Sequence, residues 1–311
     1  MPVFDLHCDT LTAFMSPLRC RDTLDDPCSA FALSKVQTIP WCQCCAVFVP
    51  DGLTPQEALG YYRFHQNSFQ QQLLDRACQA SACTTAEDVT AAWEQGKTAL
   101  VLTVENGSLL GAGLEYVEEL RRDGVRMVTL TWNGENALGS GHDTDHGLTP
   151  LGKEAVRALE EAGITVDVSH LNDAGFRDVL DVAQKPFAAS HSNARSICPH
   201  RRNLEDGQIR EMVMRNCIIG LNYCSPFLRS DGNEATFDDL YRHICHFLEL
   251  GAENCLALGS DFDGADLPPC LDDCRKVPAL GEYLMNRGLS RSLVEKIFWQ
   301  NALDFAQKNW Q

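Results

Sequence analysis

Val3-Phe4-Asp5-Leu6-His7-Cys8-Asp9 opens the chain as a short apolar run that ends in a histidine and an aspartate. Runs of the same kind recur down the sequence: Cys44–Val49, Thr98–Val104, Val125–Thr131, Ile164–Val168, Phe187–Ser190, Cys217–Asn222 and Cys255–Gly259. With the first, Val3–Leu6, they make eight. Most are nearly continuous in apolar character rather than alternating, as parallel strands buried on both faces are. Helical segments stand between them. Thr54–Ala80 has long helical periodicity, and Thr85–Gln95 starts with Thr85 and Asp88, a capping pattern with an acid at the third position. Leu109–Asp123 runs to a stop at Gly124; Thr149-Pro150 opens a helix that ends at Gly163. Asp173–Ala183, Asp206–Arg215, Phe237–Leu250 and Ser290–Gln307 complete the set.

Eight strands alternating with about eight helices in 311 residues predict an α/β fold, a (β/α)8 TIM-like barrel, as one domain spanning residues 1–311. A doubly wound open sheet is the alternative, but no G-x-G-x-x-G follows the first strand, so a dinucleotide fold has no support. No long linker, low-complexity tract or internal repeat interrupts the pattern.

The bulk composition narrows the function. The 43 acidic and 26 basic residues give a formal charge of −17. That surface repels phosphate backbones and anionic lipid, so neither nucleic acid nor a membrane is expected as a partner. No apolar run is long enough to span a bilayer, and Met1–Asp5 has neither a basic region nor a signal core. A cytoplasmic location is the expectation. The 15 cysteines are then expected as reduced thiols. Cys42, Cys44 and Cys45 can be read as a thiolate cluster, or as small hydrophobes at the start of a strand. Cys270 and Cys274, in a Pro/Asp-rich loop, could pair.

Barrel enzymes gather their chemistry at the C-terminal ends of the strands. His7 and Asp9, at i and i+2, share a face there, and an imidazole beside a carboxylate suits a divalent cation such as zinc. Glu105, His170, His191 and Asp261 follow other strands in the same position. So many ligand-type residues predict two divalent ions. His7 and Asp9 would hold one, His170 and His191 the other, and Glu105 would bridge them. Such a pair can share a hydroxide and polarise a carbonyl. Asp261 is left to carry the proton to the leaving amine.

These residues lie in stretches that resemble the membrane dipeptidase (renal dipeptidase) family of metallopeptidases. The matching stretches are Phe4–Thr10, Val104–Gly107, Val166–His170, Ala189–Ala194, Arg201–Asn203 and Gly259–Gly264, in order along the chain. The resemblance implies a distorted TIM barrel with two zinc ions that hydrolyses dipeptides, including those with a D-residue at the C-terminal position. It implies that Arg202 binds the substrate carboxylate, for which an arginine fork is suited. Spacing alone does not separate Arg202 from Arg201. Where animal members carry a substrate-contacting histidine after the fourth strand, this chain has Trp132 and Asn133. Either residue could line the pocket, or Trp132 could pack at the rim. His142 and His146 could replace that histidine, or stand as loop residues in solvent. No hydrophobic tail corresponds to the family's membrane anchor, and animal relatives suggest a homodimer.

Two other functions stay open. A lactonase or deaminase of the same superfamily would commonly bridge its metals with a carboxylated lysine after the fourth strand, where this chain has none. A catalytically inactive metal-binding module is disfavoured by the complete ligand set and by Asp261.

Overall fold

The computed structural model describes residues 1–13 and 23–310. Among these residues are nine parallel strands: β1 (Val3–Cys8), β2 (Trp41–Phe48), β3 (Ala80–Ala82), β4 (Thr98–Glu105), β5 (Met127–Thr129), β6 (Thr165–Asp167), β7 (Ala188–Ala189), β8 (Ile218–Leu221) and β9 (Leu256–Leu258). Eight form a ring in the order β2-β1-β9-β8-β7-β6-β5-β4, closed by β2 pairing with β4 from Cys42↔Ala99 to Phe48↔Glu105. The protein is a (β/α)8 barrel. Each expected run contributes one ring strand. The ninth, β3, pairs with Thr98–Leu100 at the start of β4, below where β5 joins at Thr103. It falls next to the expected helix Thr54–Ala80, which ends earlier, as Pro55–Asp75.

Capping sets both helix starts that the sequence marks. Thr85 and Asp88 form a reciprocal box, and Thr149 accepts from the Gly152 amide ahead of the helix Pro150–Glu161. The single helix expected over Leu109–Asp123 is instead a 3-10 segment, Gly107–Ala112, followed by Tyr116–Arg122. Gly113 lies between them at φ 151°, where a side chain would strike the Glu115 carboxylate. A helix absent from the sequence reading, Val277–Asn286, carries Pro278 in its first turn, a start signal that was available.

Seven of the eight ring strands, all but β6, supply one interior cluster. It contains Phe4 and Leu6 of β1, Cys42 and Cys44 of β2, Ala99 and Val101 of β4, and Met127, Ala188, Ile218 and Ala257. The C-terminal helix Asn301–Asn309 adds Ala302, Phe305 and Ala306, and the following Trp310 bonds Thr165 Oγ1 at 3.0 Å. This closes the end of the barrel where the strands begin. Every cysteine among the described residues is a free thiol, Cys270 and Cys274 included, and Cys42, Cys44 and Cys45 pack as core hydrophobes.

One irregularity decides where β1 points. Its register against β2 shifts between Asp5 and Cys8. Leu6 faces the interior cluster, yet the next residue, His7, also reaches the mouth of the ring. Strict alternation forbids two consecutive inward residues; a bulge permits them.

Candidate metal centre

His7, Asp9, Glu105, His170, His191 and Asp261 all meet at the C-terminal mouth of the barrel, and all are buried. Several stand on unusual backbone. His170 has φ 70° and Asp261 φ 64°, and their neighbours in the site Asn106 and Asp263 have φ 70° and 66°. Left-handed conformations at non-glycine residues cost about 1–2 kcal/mol each and cluster where function needs a side chain aimed against local preference.

The side chains form two groups that share Glu105. Its Oε1 lies 2.8 Å from His170 Nε2 and 3.9 Å from His191 Nε2. Its Oε2 lies 3.5 Å from His7 Nε2. His7 Nε2 is also 3.4 Å from Asp9 Oδ2 and 3.8 Å from Asp261 Oδ1, and is buried without a hydrogen-bond partner. The His170 and His191 Nε2 atoms are 2.9 Å apart. Three sets, His7–Asp9–Glu105, Glu105–His170–His191 and His7–His191–Asp261, each bring their ligand atoms within 4.8 Å of one another. None of them includes a cysteine. Imidazole nitrogens and carboxylate oxygens converging at these distances are a donor set that fits a divalent cation.

The charges of the protein groups point the same way. Burial, with Arg202 and the neighbouring histidines adding to it, holds His170 and His191 well below the usual histidine range, so both are neutral. Burial also depresses His7, but the Asp9 and Glu105 carboxylates outweigh it and hold its proton well above that range. Burial and then Asp9 push Glu105 up to about 8, and burial raises Asp261. A carboxylate cluster that resists ionising by itself is one that a dication stabilises.

Neighbours orient these groups. Asn222, just past β8, donates to Asp261 Oδ2 at 3.0 Å and leaves Oδ1 facing His7. Asp263 does not join the cluster; it accepts from Thr10 Oγ1 and the Ala30 amide, both at 2.6 Å, and anchors the loop. Asn133 Oδ1 is 2.9 Å from His170 Nδ1. Ser190 Oγ is 2.7 Å from His191 Nδ1. Sequence reading missed Asn222 and Ser190, although each is a polar residue closing an apolar run.

Above the cluster opens a cavity of about 640 Å³, with Phe48, Trp132, Asn133, His142, His200 and Phe227 in its wall. Trp132 meets Phe48 edge-on, ring centres 4.9 Å apart, so it both packs at the rim and lines the cavity. His142 is half-buried there, and burial then Arg202 bring it down to about 4; His146 is exposed. The two arginines separate cleanly. Arg201 is exposed and pairs with Asp145. Arg202 is buried one layer below the wall, over the Phe227 ring, with Nη2 3.2 Å from the His191 carbonyl. It has no carboxylate within 4.0 Å among the described residues, and its Nε has no partner.

Residues 1–308 match the model of the membrane dipeptidase family, peptidase family M19. The chain belongs to that family. Membership makes it a metallopeptidase that hydrolyses peptide bonds. An uncharacterized protein of Klebsiella pneumoniae is 33% identical over 241 residues, 74% of this chain and 89% of that protein. A dipeptidase of Claviceps purpurea is 32% identical over 225 residues, 70% of this chain and 52% of that protein. Among solved structures, a metallopeptidase of Rhodobacter sphaeroides, liganded with a phosphinate mimic of the dipeptide L-Ala-D-Ala, superposes with a TM-score of 0.93. The two are 25% identical, over 100% of this chain and 99% of that one. A further family M19 dipeptidase, termed dipeptidase AC, also has a TM-score of 0.93, at 26% identity and the same coverage. No helix among the described residues is long and apolar enough to cross a membrane.

Proposed function

We propose that this family M19 enzyme cleaves dipeptides with two divalent cations, zinc being the expected ion, held by His7, Asp9, Glu105, His170 and His191. The observation that carries the reading is the division of Glu105, with one oxygen toward His170 and His191 and the other toward His7. Cations held there would activate a water as the nucleophile and would polarise the scissile carbonyl.

The chain's own groups do the rest. Asp261, held by Asn222, is placed to accept the proton of the attacking water and return it to the departing amine. Arg202 is a buried guanidinium without an acid partner, an arrangement that a substrate α-carboxylate completes. Trp132 lines the side of the cavity near His170, where it bounds the space for a substrate side chain. Asn133 also lines the cavity and can reach substrate, but its bond to His170 Nδ1 supports a role in orienting that ligand. A C-terminal D-residue is included in the proposed substrate class, supported by the ligand of the Rhodobacter sphaeroides relative.

The test is elemental analysis on active enzyme together with a panel of L,L- and L,D-dipeptides and their C-terminal amides. About two cations per chain and strong preference for the free acids are expected. A reproducible stoichiometry of one in fully active enzyme contradicts the bridged pair. Equal turnover of acid and amide contradicts the role of Arg202.

A further inference from the structure

We propose that Asp167, Ser190 and His191 form a buried relay that locks the His191 ring with its proton on Nδ1 and its lone pair on Nε2. Asp167 and Ser190 are thereby positioning residues for the centre. The link to cation binding rests on the function proposed above; the assignment of the proton does not.

The argument is a count of donors. Asp167 ends β6 with no exposed surface. Its Oδ1 accepts from the Ser169 amide at 3.0 Å and the Ser190 amide at 2.9 Å. Its Oδ2 accepts from the hydroxyls of Thr129 at 2.6 Å and Ser190 at 2.5 Å. Two of these four groups are amides that can only donate. No lysine, arginine or histidine lies within 4.0 Å of the carboxylate among the described residues. A buried carboxylate in that setting is satisfied by hydroxyl donors, which commits the Ser190 proton to Asp167. The Ser190 oxygen, 2.7 Å from His191 Nδ1, can then only accept, and the proton on that bond belongs to the imidazole.

Nε2 is consequently left as an acceptor, facing His170 Nε2 at 2.9 Å and Glu105. His170 takes its orientation differently, from the neutral amide of Asn133 on a half-buried loop. One histidine of the pair is thus backed by a carboxylate inside the barrel and the other by an amide at its rim. Backing of the first kind strengthens a ligand's basicity as well as its aim.

The geometry also says how to reverse the relay. In Asp167→Asn, the two backbone amides require the carbonyl oxygen at the Oδ1 position. The new NH2 then takes the place of Oδ2 and donates to Ser190. The serine proton turns toward His191 Nδ1, and the ring proton moves to Nε2, where a cation would bind.

The experiment is nitrogen-15 NMR of histidine-labelled, chelator-treated protein, with His191 assigned by its loss in His191→Ala. Wild type should show the Nδ1–H tautomer and Asp167→Asn the Nε2–H tautomer. Chelator competition should show affinity for one cation reduced about 10–100-fold in Asp167→Asn and in Ser190→Ala. An Nε2–H signal in wild type overturns the relay, as does an unchanged tautomer in folded Asp167→Asn. If Asp167→Asn does not fold, Ser190→Ala decides: unchanged His191 shifts refute the bond. The predicted tautomer in a wild-type protein that binds no cation would retain the relay and reject the two-cation reading instead.

Discussion

Gly264 leaves no room for a side chain beside two carboxylates of the site. A methyl group there would lie 1.8 Å from Asp9 Oδ2 and 2.8 Å from Asp261 Oδ1, where ordinary contact begins at 3.4 Å. Gly264→Ala therefore demands a displacement of about 1.6 Å between the loop and the Asp9 carboxylate, the difference between 3.4 and 1.8 Å. The Asp9 main chain is tied by its amide to the Phe262 carbonyl at 2.8 Å, so the carboxylate relieves the clash by turning, which moves it out of its place 3.4 Å from His7 Nε2. The residue is itself exposed, so the rest of the fold should tolerate the change. A misplacement of about 1 Å in a catalytic constellation costs on the order of 10²-fold. We expect kcat/KM to fall by at least about that factor, with one cation bound more weakly and Tm little altered. Gly207→Ala is the control, since a methyl there meets nothing within 4 Å. The assay is dipeptide hydrolysis with metal analysis on the same preparation. Wild-type activity with both cations retained in Gly264→Ala would refute the placement of Asp9 as a ligand.

Asp261→Asn should keep both cations while kcat falls about 10²–10⁴-fold; loss of a cation would make Asp261 a ligand first. Arg202→Lys should lose much of kcat/KM because lysine lacks the bidentate fork, whereas Arg201→Lys, exposed and paired with Asp145, should be nearly silent in the same assay. Asn133→Leu should weaken cation binding in chelator competition, and a change confined to KM would assign Asn133 to substrate instead. Asp5 is fully buried, and burial pushes it up to about 6 from 3.8, so the folded chain holds this proton more tightly than the unfolded chain. Its contribution to stability is complete below pH 3.8 and is lost as pH rises through about 6, a change of about 3 kcal/mol. Asp5→Asn keeps an acceptor for the Ser260 amide and removes the charge. In chelator-treated protein it should raise Tm at neutral pH and flatten Tm between pH 4 and 6, and an unchanged profile would exclude an ionising Asp5.

The ring of strands was legible from the sequence because parallel barrel strands are buried on both faces, which writes each as a near-continuous apolar run. The residues gathered at the mouth were legible because strand ends in this fold converge there, so Glu105, His170 and Asp261 needed only to follow their runs to be candidates. What the residues did for one another was not written locally. His7 reaches the mouth through a register shift against β2, a property of two strands paired across the ring and not of Val3–Asp9 alone. Arg202 and Arg201 are neighbours in sequence with opposite fates, and only packing shows one buried without an acid and the other exposed on Asp145. Ser190 and Asp167 are 23 residues apart, yet meet because β6 and β7 pair, Asp167 opposite Ala188. Periodicity records which residues are buried. Which buried polar atoms face each other depends on register and long-range closure, and those are decided only when the barrel forms.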